Sequence, residues 1–266
     1  MGWQLEKPPV VEAWIEFRFS PNEHAPAWDE IVAARFFEKH FAHAFNLKDY
    51  AGHYEILVDA TSGRPRIREG QAVFERARAI NHEGDRYLQA GRDVLIYNIL
   101  RGKATWPRYQ ALRDEAIEAY GKYVEFTQPQ SLSCAVLHYR DVASFPYTVN
   151  DAAERMLDLD QYLKVSPQVP PSLGSVANFA INLTLPAAAE AGVLRLLIRD
   201  EPSGNEAVPA QEGRFRFDWH LTSLSLTSLD THAVRSWLDR AHADLLLAFR
   251  ECFTDEAWAL FAPKED

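Results

Sequence analysis

The stretch "VVEAWIEFRF" carries Glu12, Glu16 and Arg18 at alternating positions, and carboxylates beside a cation are raw material for general acid–base chemistry. At roughly 3.3 Å per strand residue Glu12 and Glu16 stand about 13 Å apart. Glycosidase carboxyls face each other across roughly 5–9.5 Å, so each glutamate needs a partner from another element. "LHYRD" offers His138 and Arg140 with the same alternation, and "DWHLTS" offers Asp218 and His220. A carboxylate two residues from a histidine on one strand face can orient the ring or share a metal. No third ligand follows at a recognisable spacing, and His40 and His43 in "HFAH" lack the HExxH pattern, so neither a metal nor a cofactor is expected. The catalytic candidates are therefore Glu12, Glu16, His138, Asp218 and His220, for hydrolysis or nuclease-like cleavage. The competing reading is that these residues form the solvated, salt-bridged face of a sheet.

Arginines give a second pattern. Arg66 and Arg68 flank Ile67, and Arg76 and Arg78 flank Ala77. On adjacent strands they would project as two parallel rows, as a phosphate-tracking surface requires, with Tyr87, Tyr97 and Trp106 available for stacking. Together with Arg18 and Arg140 they are the ligand-binding candidates. Acidic neighbours such as Glu69 and Glu75 favour the plainer alternative of a charge-balanced sheet face. The chain carries a net charge of −10, which argues against a protein that coats nucleic acid. The charge is uneven: between Arg64 and Arg113 eleven basic residues stand against five acidic ones.

GxSxG, GxxxxGK[ST] and GxGxxG are all missing from the sequence, which disfavours serine-hydrolase elbows and the common nucleotide folds. The two cysteines, Cys134 and Cys252, have no CxxC partner and read as reduced, buried thiols of a cytoplasmic protein. No run approaches the roughly 18 apolar residues of a membrane helix. His242 sits beside the apolar stripe of the last helix and reads as a structural histidine.

The elements that must position these residues follow from periodicity. Val11, Ala13, Ile15, Phe17 and Phe19 form the apolar face of a first strand. Pro26 opens a helix with Ile31, Ala34, Phe37, Phe41 and Phe45 on its stripe. Strands are expected at 53–60, 65–69, 72–80, 85–90 and 93–100, with glycines at the turns. A long helix follows, with Tyr109, Leu112, Ala116, Tyr120 and Tyr123 on one side. A strand at 131–142, a helix at 150–163 capped by Asn150, and three strands in "SVANFAINLTLP", "GVLRLLIRD" and "GRFRFDWHLTSLSL" come next. A closing helix capped by Asp230 buries Val234, Leu238, Ala241, Leu245 and Phe249.

Strand, helix, meandering strands and long helix thus occur twice, which predicts an α+β duplication with halves at 1–128 and 129–266. The order is similar to the TATA-binding-protein-like saddle, as an analogy of element order. Aligning the first strands of the halves sets Glu16 against His138 and Arg18 against Arg140.

"PPVVEAWIEFRF", "LHYRDVASFP…LDLDQYLKVSPQVP" and "WLDRAHADLLLAFRECFTDEAWALF" resemble, in order and over nearly the whole chain, a sporadically distributed group of uncharacterised bacterial proteins. That group has a Pro-x-x-Glu-Ala strand, a central Arg-Tyr-x-Asn strand and a closing His…Phe helix; this chain has His138-Tyr139-Arg140-Asp141 at the centre. The resemblance implies the fold and length, and its sporadic distribution implies an accessory or phage-defence role. The expected function is a non-catalytic binding module with a protein partner or a second copy of itself. The alternatives are the hydrolase above and nucleic-acid or nucleotide binding through residues 64–113.

Overall fold

Alternating apolar and polar side chains in the strands leave one face that must be covered, and the helices supply the cover. The computed structural model describes residues 3–24, 27–53, 56–58, 65–67, 73–101, 106, 108–146, 148–149, 155–156, 159–165, 180–187, 192–201 and 212–265. For residues 3–4, 47–53, 56–58, 65–67, 73–74, 148–149, 155–156 and 265 it describes the backbone alone.

In chain order the first elements are β1 (Trp3–Leu5), β2 (Val10–Ser20), α1 (Glu30–Phe41), β3 (Phe45–His53), β4 (Ile56–Val58) and β5 (Pro65–Ile67). β6 (Val73–Asn81), β7 (Arg86–Gly91), β8 (Val94–Leu100), α2 (Tyr109–Thr127), β9 (Ser131–Pro146), β10 (Thr148–Val149) and β11 (Arg155–Met156) follow. The chain continues through α3 (Leu159–Tyr162), β12 (Ala180–Pro186), β13 (Val193–Asp200), β14 (Glu212–Thr222), α4 (Thr231–Cys252), α5 (Asp255–Leu260) and β15 (Pro263–Glu265).

Nine strands form one antiparallel sheet in the order β12-β13-β14-β9-β2-β8-β7-β6-β3. Helices plus a large antiparallel sheet make the fold α+β. The centre is the β2–β9 pair. Outward from it the order is β8, β7, β6, β3 on one side and β14, β13, β12 on the other. Helix α2 follows β8 and packs on β2 and β8, while α4 follows β14 and packs on β9 and β14. Helix α1 covers β3 and β6.

Parity along each strand decides which side chains the helices bury. Ala13, Ile15, Phe17 and Phe19 of β2 face them and are buried. Phe17 and Phe19 pack on Tyr120 at 4.8 and 5.7 Å between ring centroids, and Phe19 lies 4.8 Å from Tyr123. The equivalent cluster under α4 joins Phe145, Phe217, Phe249 and Phe253. Fully burying each such ring contributes roughly 1.5–3 kcal/mol. Helix starts are fixed by side-chain caps: Asp29 accepts from Val32 N, and Asp230 accepts from His232 N and Ala233 N. Gly192, at φ 152°, lets the chain enter β13 where a Cβ would meet the Thr222 carbonyl oxygen at 1.8 Å.

Four sequence expectations change. Helix α1 begins at Glu30, four residues beyond Pro26, and Phe45 starts β3 instead of ending the helix. Its buried face is Ala33, Phe36, Phe37 and Phe41, with Ile31 62% exposed. The adjacent pair Phe36 and Phe37 allows two overlapping stripes, and packing against Trp28, Tyr123 and Phe126 selects the one through Phe36. The helix expected at 150–163 is one turn, α3, and Arg155–Met156 pair with Thr148–Val149 as strands; Asn150 lies outside the described residues.

Candidate functional site

On the face of the sheet against which no described helix packs, the helix-free face, lie the residues that sequence spacing singled out. Because β2 and β9 run antiparallel, repeat-equivalent positions do not meet. Glu12 pairs with Arg140 and Trp14 with His138, while Glu16 faces Val136 and Arg18 faces Cys134. The expected meeting of Glu16 with His138 and of Arg18 with Arg140 is thereby corrected. On the next strand Asp218 faces Arg140 and His220 faces His138. Glu12, Glu16, His138, Asp218 and His220 therefore share one face of three neighbouring strands.

Two rows cross this face. In the first, Gln89 Nε2 donates to Asn98 Oδ1 at 3.4 Å and Asn98 Nδ2 donates to Glu12 Oε1 at 3.0 Å. Arg140 then bridges two strands, Nη1 to Glu12 Oε2 at 2.5 Å and Nε to Asp218 Oδ1 at 2.9 Å. Arg216 Nε lies 2.7 Å from Asp218 Oδ2, an ion pair whose angle is too poor for a hydrogen bond, and Arg199 stands 4.0 Å from the same oxygen. Asp218 is 3% exposed and is the hub of three arginines. Separately, Arg18 pairs with Glu16.

The second row is made of rings. Trp14 stacks on His138 with centroids 4.4 Å apart and planes 9° apart. His220 meets His138 edge-on at 4.4 Å, and the Arg140 guanidinium lies 5.3 Å from the Trp14 ring centre. His138 is 7% exposed, and among the described residues neither ring nitrogen has a hydrogen-bond partner. Burial first, then His220 and Arg140, holds its pKa well below the usual histidine value. Burial likewise lowers His220, against the pull of Asp218.

The arginine pattern survives in altered form. Arg76 and Arg78 of β6 point to this face, opposite Gly91 and Gln89 of β7. Arg66 belongs to β5, which pairs with β4 and not with β6, so the two expected rows do not lie side by side. Arg68 lies outside the described residues. Tyr87 shares the face through its pairing with Asn98, whereas Tyr97 turns to the helices and donates to Glu115 at 2.6 Å. Trp106 packs against the apolar core.

What sequence spacing did not bring forward is the far flank: Arg195 and Arg199 on β13, Arg214 and Arg216 on β14. Arg195 faces His220, and Arg199 faces Arg216 directly. The signal is present as alternation in "LRLLIRD" and "GRFRFDWH", but alternation marks a strand without saying which strand it lies beside. Among the described residues no cluster of three or more His, Cys, Asp or Glu side chains is disposed to hold a metal ion. Cys134 and Cys252 are free thiols.

Histidine 242 lies on the other side of the sheet. Its Nδ1 is 3.0 Å from the Tyr139 hydroxyl, and its ring stacks on Tyr109 at 3.7 Å. Compared with protein-family models and with curated proteins, the chain matches none.

Proposed function

We propose that the chain is a non-catalytic binding module that presents the helix-free face of its sheet to a ligand. The observation that supports this reading is the engagement of its carboxylates. Glu12 is held by Asn98 and Arg140, and Asp218 by Arg140 and Arg216. His138 has no carboxylate on either nitrogen, so it lacks the oriented acid–base pair that proton transfer uses. The matching of β8, β7 and β6 by β14, β13 and β12 about β2–β9, with β3 extra on one side, supports an internal duplication in the manner of a saddle. The resemblance to sporadically distributed bacterial proteins supports a cytoplasmic accessory role, with phage defence as its setting and a protein partner or a second copy as a further contact. Incubating the purified protein with phosphodiester, ester and glycoside substrates tests the reading: no turnover is expected. Turnover that disappears in Glu12→Gln or His220→Ala would overturn it.

A hydrolase is the second reading, favoured by one fact. The five candidate side chains sit together on β2, β9 and β14, as an active site requires. The same substrate panel decides between the two.

A further inference from the structure

We propose that this face binds single-stranded nucleic acid, its arginines holding the phosphates of a strand laid across the sheet from β6 to β13. The inference rests on the binding reading above and names its ligand. Four observations carry it.

The first is charge placed against the background of the chain. A protein of net charge −10 sets arginines on both flanks of one sheet face, Arg76 and Arg78 at one end and Arg195, Arg199, Arg214 and Arg216 at the other. Asp218 compensates only part of the second group. Among the described residues Arg195 and Arg214 form no ion pair, and Arg76 Nε has no hydrogen-bond partner.

The second is an opposition that packing does not reward. Arg199 and Arg216 face each other across the β13–β14 ladder, and like charges directly opposite destabilise a sheet. Asp218, which Arg140 also engages, offsets part of that cost with one carboxylate for three arginines, and a further anion above them would offset the rest.

The third is residue choice. Of the nine strands, β2, β6, β7, β9, β13 and β14 carry arginine, and the sheet's one lysine is Lys48 on the edge strand β3. Solubility would be served by either cation. Arginine's planar fork matches a phosphate bidentately, and it does so in a partly desolvated place better than an ammonium.

The fourth is extent. From β13 to β6 the sheet takes six interstrand steps, about 29 Å at roughly 4.8 Å each. A mononucleotide cannot touch both flanks, whereas an extended polymer can. Between the flanks lie the half-buried ring of Trp14, held flat against His138, and the Arg140 guanidinium 5.3 Å from its centre, planar groups of the kind on which the bases of an unpaired strand stack.

Fluorescence anisotropy with labelled mixed-sequence DNA and RNA strands of about 20 nucleotides, longer than the roughly 4–16 that one compact fold covers, tests the proposal. Binding is expected at about 50 mM salt and should weaken steeply as salt rises. The paired variants Arg76→Ser with Arg78→Ser, and Arg199→Ser with Arg216→Ser, are each expected to weaken all sequences alike. Each should flatten the salt slope by about 1 per arginine, with circular dichroism confirming that the variants fold. A trinucleotide is expected to bind far more weakly than the long strand. Absence of binding, equal affinity for a duplex or for polyglutamate, or indifference to either arginine pair overturns the proposal. The outcomes separate from those of the binding reading. Strand cleavage that follows binding upholds this ligand and overturns the non-catalytic reading; no binding and no turnover overturns this ligand alone.

Discussion

His242 and His138 lie on opposite faces of the same sheet, and burial holds both rings neutral. On the helix side His242 is stacked on Tyr109 and shares a hydrogen bond with Tyr139. On the open side His138 is stacked on Trp14 with centroids 4.4 Å apart, yet among the described residues its two nitrogens have no partners. The helix side is not free of unmet polar atoms, since Tyr109, Tyr120 and Asp141 each keep a buried oxygen without a partner among the described residues, but at His242 a ring nitrogen is hydrogen-bonded. The open side pairs its charges and leaves a buried ring unfilled, a cost of folding that a ligand can recover.

The largest expected effect tests the charge network on the open side. Asp218→Ala strands Arg140, Arg216 and Arg199 around an empty centre. We expect a loss of roughly 3–5 kcal/mol in urea unfolding, the usual cost of breaking one partner out of a buried ion pair. Asp239 on the helix side, paired with Arg113 at 2.8 Å but 45% exposed, should cost no more than about 1 kcal/mol when replaced by Ala. Equal losses would erase the contrast between the faces.

A second test concerns the one ill-satisfied acid on the helix side. Asp141 is 2% exposed, and its Oδ1 has no hydrogen-bond partner; Trp219 Nε1 is near but not aligned. Burial, with the Asp218 charge adding to it, raises its pKa to about 7. A raised carboxyl pKa stabilises the fold below the unfolded value and loses that contribution as pH climbs through about 7. Asp141→Asn is therefore expected to gain stability at pH 8, on the order of 2–4 kcal/mol at about 1.4 kcal/mol per pKa unit. The gain should vanish towards pH 4. A pH-independent difference would mean that Asp141 stays ionised in the fold.

Tyr139→Phe is smaller, at roughly 1–2 kcal/mol, because it removes the His242 hydrogen bond and leaves the ring otherwise packed. The wild-type contribution has the opposite pH sense to Asp141. Burial lowers His242 to about 4, so its neutral form stabilises above the ordinary histidine value and the benefit is lost as pH falls towards 4. His242→Phe should remove that acid limb, which thermal melts between pH 4 and 7 would show.

Much of this was legible from alternation. The apolar face of β2, the helix α4 with its Asp230 cap, and the Tyr109–Tyr123 stripe of α2 are local patterns that tertiary structure kept. Register was not legible. Repeat alignment pairs like with like, but two central strands running antiparallel invert the second set, so Glu12 and not Arg18 reaches Arg140. The arginine face was missed for a related reason. Counting charge along residues 64–113 weighs neighbours in sequence, whereas the face collects alternate residues from strands far apart in the chain, including β13 and β14. Arg86 and Arg113, inside the counted window, turn to the helices and pair with Glu115 and Asp239.

The smallest predicted effect separates the two histidines most sharply. His138→Phe keeps a flat ring against Trp14 and removes two buried nitrogens that have no partners. Deleting an unsatisfied polar group while preserving shape is close to neutral and often stabilising, so urea midpoints should move by less than about 1 kcal/mol, with stabilisation the favoured sign. His242→Phe also keeps its stack, on Tyr109, but orphans the Tyr139 hydroxyl and should cost about 1–3 kcal/mol. If His138→Phe costs as much as His242→Phe, the nitrogens of His138 have partners in solution and its place in a ligand site fails. If it is neutral for folding yet weakens oligonucleotide binding, the ring is held at the centre of the sheet for what it contacts there, a residue kept for function at the expense of stability.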